Sequence, residues 1–143
     1  MIPAEFSHVA VNCKNPVATE RFYTRHFGFQ RARVVPIENG QIVFIKSGGL
    51  MLELFPSADP SPLAPPEKDG YTHPGWRHLA FKVPNVDEKL REMGPEACVT
   101  LGPFSFDDVI PGWRTVWVAD PEGNIVEISQ GYTDQKNPPP FPA

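Results

Sequence analysis

The chain has 143 residues, 41% of them hydrophobic, enough for one domain with a real core. Its formal net charge of −4 excludes a nucleic-acid binder of the basic-face type. No run of about 18 apolar residues suggests a membrane span, and the first residues lack the basic and apolar regions of a signal peptide. Cys13 and Cys98 form no metal-type or redox-type spacing. A reduced, cytoplasmic protein is the simplest expectation.

In chain order, a first strand is expected from about Phe6 to Asn12. A helix follows, with Asn15 as N-cap and Pro16 at its first position. Ala18 and Phe22, then Tyr23 and Phe27, sit one turn apart and form its buried face, and Gly28 suits a left-handed C-cap. Strands are expected at 29–37, 41–47 and 50–55, joined by turns at Asn39-Gly40 and Gly48-Gly49. Prolines then cluster from Pro56 to Pro74 and again from Pro138 to Pro142, marking a linker and a tail expected to be partly disordered. Beyond the linker, Asn85 and Glu88 form a capping pair, and Val86, Leu90 and Met93 a buried stripe. Short strands are expected at 97–101, 113–119 and 124–130, the last two joined by the tight turn Asp120-Pro-Glu-Gly123.

The two halves repeat. Phe6-Ser-His8-Val-Ala-Val11 matches Trp76-Arg-His78-Leu-Ala-Phe81, and Met51-Leu-Glu53-Leu54 matches Ile125-Val-Glu127-Ile128. Both halves read βαβββ. The expected fold is α+β: a single domain over 1–131, with module one at 5–56, a linker at 57–74 and module two at 75–131, then a tail at 132–143.

Alternate residues of a strand face opposite ways. Val9, Val11, Leu50, Leu52, Leu54, Leu79, Phe81, Val83, Val126 and Ile128 then make a wholly apolar face for the helices. His8, Glu53, His78 and Glu127 lie on the other, mixed face. One strand histidine or glutamate is ordinarily a surface residue. Two of each, at equivalent positions with matching parity, suit a divalent first-row metal with positions left for water or substrate.

These segments resemble the vicinal oxygen chelate superfamily, which includes glyoxalase I, extradiol dioxygenases, methylmalonyl-CoA epimerase and the fosfomycin and bleomycin resistance proteins. The resemblance runs from about Phe6 to Gln130. His8-Val-Ala-Val, Thr19-Glu-Arg-Phe22-Tyr23 and Phe27-Gly28-Phe29 are similar to the opening of glyoxalase I, with Cys13 in place of an aliphatic residue. Trp76-Arg-His78 lacks the small residues usual before the second histidine, and Asp120-Pro-Glu-Gly123 followed by Glu127 is the common ending. The resemblance implies two modules paired into a cupped mixed sheet around one divalent ion per site (Zn, Ni, Co or Mn), held by His8, Glu53, His78 and Glu127.

It implies, further, a lyase or isomerase working on a small hydroxy-carbonyl or hemithioacetal-type substrate through an enediolate, with Glu127 or Glu53 moving the proton. It also implies a homodimer. An extradiol dioxygenase would use iron on His8, His78 and Glu127 alone, so Glu53 tilts the reading toward proton transfer. A metal-free binding protein is the remaining alternative. No glutathione site is evident, although Arg31 or Arg33 could take an anionic substrate end. His73 is read as a solvated loop residue and His26 as a histidine near a helix C-terminus without a catalytic role. Trp113, Thr115 and Trp117 share a face that is pocket wall or plain core. Phe104 and Phe106 fall in an expected loop from Gly102 to Gly112, as lid or interface patch.

Overall fold

In a computed structural model, residues 1–142 are described. They fold as two compact units. The first comprises residues 1–65 with 120–124, and the second residues 66–119 with those from 125 onward.

The first unit contains β1 (Val9–Cys13), α1 (Pro16–Phe27), β2 (Gln30–Ile37), β3 (Gly40–Ser47) and β4 (Leu50–Pro56). Its mixed sheet has the order β1-β4-β3-β2, with β1 parallel to β4 and the other pairs antiparallel. Helix α1 starts where the Asn15 side chain accepts the Ala18 N–H at 3.1 Å. It stops at Gly28, whose φ of 69° is the left-handed conformation that a side chain would disfavour. Its buried face is wider than the expected pairs. Thr19, Phe22, Tyr23 and His26 are buried, whereas Ala18 and Phe27 are only half-buried. His26 lies in the last turn of α1, as expected, and is buried there, its ring edge-on to Phe22 at 5.1 Å.

The second unit repeats the order with β5 (Leu79–Lys82), α2 (Val86–Met93), a short 3₁₀ turn (Gly94–Glu96), β6 (Cys98–Ser105), β7 (Arg114–Ala119) and β8 (Ile125–Gln130). Its sheet order is β5-β8-β7-β6, again with the first strand parallel to the last. Asn85 caps α2 by accepting the Glu88 N–H at 3.0 Å. Val86 and Met93 are buried and Leu90 is half-buried. The fold is α+β, two βαβββ modules each with a four-stranded mixed sheet.

Strand parity holds best at the sheet centres. Leu52, Leu54, Val126 and Ile128 are fully buried. Val9, Val11, Leu79 and Phe81 are only half-buried, because β1 and β5 are edge strands with one neighbour each. Two strand boundaries differ from expectation by more than one residue. The first strand begins at Val9, leaving Phe6 67% exposed ahead of it. Strand β6 runs to Ser105, so Phe104 is a strand residue opposite Thr115 with its ring 6.4 Å from Trp117, rather than part of a loop lid. Periodicity failed there because Gly102-Pro103 interrupts the alternation and the β6–β7 register shifts beside it.

Tail residues 132–142 are exposed and irregular, and the last position of the expected tail, Ala143, lies outside the described residues. Tyr132 is nonetheless anchored: its carbonyl accepts from Lys82 Nζ at 3.2 Å and its ring meets Trp113 at 5.8 Å. No helix among the described residues is long and apolar enough to cross a membrane.

Candidate metal centre

Each unit brings one histidine and one glutamate together by the same route. In the first, β1 and β4 run parallel with Val9 opposite Leu52 and Ala10 opposite Glu53. His8, one residue before β1, therefore reaches Glu53, with Nε2 2.8 Å from Oε2. In the second, Leu79 lies opposite Val126 and Ala80 opposite Glu127. His78, one residue before β5, comes within 3.4 Å of Glu127 Oε2 through its Nε2.

Two ligands each about 2.1 Å from one ion lie roughly 3 Å apart. Both pairs have that spacing and the imidazole–carboxylate chemistry that first-row divalent ions prefer. They are also reachable, with side chains 35% and 15% exposed in the first pair and 18% each in the second. Each pair supplies two donors. Among the described residues no group of three or more His, Cys, Asp or Glu side chains is gathered closely enough to hold an ion.

The outer contacts of the two pairs differ. His8 Nδ1 lies 2.8 Å from the Ser7 hydroxyl, which can donate or accept. His78 Nδ1 lies 2.7 Å from the Asp69 backbone carbonyl, which can only accept. Glu127 accepts a hydrogen bond from Thr115 Oγ1 at 2.8 Å. Strand counting placed Thr115 on this face as pocket wall or core, and its hydroxyl makes it a partner of the carboxylate. In the antiparallel β7–β8 register Trp117 lies opposite Glu127 and Thr115 opposite Ser129, so the hydroxyl reaches the carboxylate diagonally. No sequence signal marked Asp69. Trp117 Nε1 is buried on the same face with no hydrogen-bond partner among the described residues.

Arg31 makes a two-nitrogen contact with the Glu20 carboxylate on α1 and so braces β2 on the helix. Arg33 is exposed on β2. His73 is exposed, as read.

The model of the Glyoxalase/Bleomycin resistance protein/Dioxygenase superfamily matches residues 5–128. The chain belongs to this superfamily. Protein YwkD of Bacillus subtilis (strain 168) is 28% identical over 134 residues, covering 90% of this chain and 98% of that protein. A glyoxalase family protein from Enterococcus faecalis superposes with a TM-score of 0.65 at 32% identity, over 90% of this chain and 99% of that one. A lactoylglutathione lyase from Agrobacterium tumefaciens superposes with a TM-score of 0.58 at 26% identity, over 92% and 96%.

Proposed function

We propose that this superfamily member is a metal-dependent lyase or isomerase of glyoxalase type, acting on a small hydroxy-carbonyl or hemithioacetal-type substrate. The observation that carries the reading is the doubled pair: in both units a histidine ahead of the first strand meets a glutamate of the last strand through Nε2 and Oε2. His8, Glu53, His78 and Glu127 would hold one divalent ion, Zn, Ni, Co or Mn, when the two half-sites are brought together in a homodimer. The likeness to a lactoylglutathione lyase at 26% identity supports this class of chemistry.

When bound, the ion would supply Lewis acidity toward the substrate oxygens. The chain's own part is proton transfer. Glu53 or Glu127 takes the carbon-bound proton and returns it to the neighbouring carbon, a role that needs a carboxylate within hydrogen-bond reach of that carbon. A second carboxylate in the set balances the charge of a divalent ion, which favours proton transfer over the oxygen chemistry of a two-histidine, one-carboxylate iron site.

Elemental analysis of the purified protein, then calorimetric titration of the chelated protein with Zn, Ni, Co and Mn, tests the metal. One tight site per chain is expected, and no binding at micromolar ion would end the reading. Isomerisation of thiol hemithioacetals assayed beside catechol cleavage under oxygen separates the lyase from a dioxygenase. Loss of both, with tight binding of an organic ligand to metal-free protein, would mark a binding module instead.

A further inference from the structure

We propose that the segment from Glu67 to Arg77, most of it within the linker expected at 57–74, is an orienting clamp that locks the tautomer of His78, with Asp69 and Arg77 as positioning residues. The inference rests on the reading of His78 as a metal ligand. It concerns a different property, namely which ring nitrogen is kept free of hydrogen.

The decisive contact is His78 Nδ1 at 2.7 Å from the Asp69 carbonyl oxygen. A carbonyl has no proton to give, so Nδ1 must carry the hydrogen. In the neutral ring that leaves the lone pair on Nε2, the atom facing Glu127 Oε2 at 3.4 Å. The ring is therefore held in the form a divalent ion needs. His8 has no such constraint, because its Nδ1 neighbour is the Ser7 hydroxyl.

Several contacts keep the Asp69 carbonyl in place. Arg77 donates from Nε and Nη2 to Asp69 Oδ2 at 3.2 and 2.6 Å. The Gly70 N–H closes the turn on the Glu67 carbonyl at 2.8 Å. Thr100 Oγ1, on β6, donates to the Lys68 carbonyl. Lys68 itself has a left-handed φ of 52°, a conformation kept in a lysine only where the surroundings fix it. Gly70 is buried with φ 86°, and a Cβ there would sit 2.1 Å from the Arg77 carbonyl oxygen. The turn is thus wedged against the residue directly before His78. Partners that orient a metal-binding histidine typically change affinity 10–100-fold when removed.

The test is a long-range proton–nitrogen spectrum of ¹⁵N-histidine-labelled, chelated full-length protein at mildly alkaline pH, with His78 assigned from His78→Gln. In the wild type, His78 should show hydrogen on Nδ1 and none on Nε2. Arg77→Ala, at an exposed guanidinium, and Thr100→Val, at a separate anchor, should each convert His78 to a mixture of tautomers. Each should also weaken Zn²⁺ binding by about tenfold. Hydrogen on Nε2 in the wild type, or an unchanged tautomer in both variants, would overturn the clamp. A locked wild-type tautomer in a protein that binds no Zn²⁺ would uphold the clamp and overturn the metal reading, so the two failures are distinct.

Discussion

The Nε2 of His8 and the Oε2 of Glu53 meet at 2.8 Å from adjacent parallel strands, one residue ahead of β1 and in the middle of β4. That pairing makes Glu53 the residue at which the proton-transfer and oxygen-activation readings diverge. Glu53→Gln keeps the size and an oxygen donor but loses charge and basicity. Metal affinity should fall modestly and isomerase turnover by on the order of a hundredfold, the scale of a lost general base. His8→Ala should empty the site. Metal occupancy can be measured without a substrate, and full retention in both variants would refute the four-ligand set.

The assembly is expected to be a homodimer, with the mass in light scattering twice that of the chain. A mixed dimer of His8→Ala and His78→Ala chains distinguishes pairing modes. If His8 and Glu53 of one chain meet His78 and Glu127 of the other, one intact metal site returns per mixed dimer. If each chain completes its own site, none returns.

Within the first unit, Tyr23 Oη donates to Asp120 Oδ2 at 2.7 Å in a buried setting. Tyr23→Phe removes the phenolic donor with little change of shape. Asp120 keeps its bonds from the Glu122 and Asn124 N–H groups at 2.9 and 3.0 Å, so the loss should be about 1–2 kcal/mol in urea unfolding. No change in midpoint would show that water replaces the phenol there.

The same carboxyl sets a pH dependence. Burial raises the Asp120 pKa above the ordinary carboxylate value, against the lowering effect of its bonds from Tyr23, Asn124 and Glu122. The folded state therefore keeps its proton to higher pH than the unfolded chain. The stability this contributes is complete below the ordinary carboxylate pKa and is lost as pH rises through the raised folded value. Stability of the wild type minus that of Asp120→Asn should fall from acid to neutral pH. A difference that grows with pH would show that the charged form is the one the fold prefers.

The two thiols should react very differently. Cys98 is exposed on the edge strand β6, whereas Cys13 is fully buried and burial pushes its thiol up to about 11. A disulfide reagent should titrate one thiol rapidly in the native protein and the second only on unfolding. Fast reaction of both would mean that β1 opens readily.

Much was written locally. Asn15 with Pro16, Gly28, the Gly48-Gly49 and Asp120–Gly123 turns, and the alternation in 50–55 and 125–130 are short-range signals, and they delimit most elements and the repeated βαβββ order. Parity also put His8 with Glu53 and His78 with Glu127 on one face, because a period of two leaves only two choices of side. Other features depended on distant partners. The burial of His26 and Thr19 and the extension of β6 through Gly102-Pro103 come from packing and register, which no window of sequence contains. So does the orientation of His78. Asp69 carries no periodic or motif signal, and its carbonyl meets the imidazole in a turn that also contacts Arg77 and Thr100, which lie outside any local window around it.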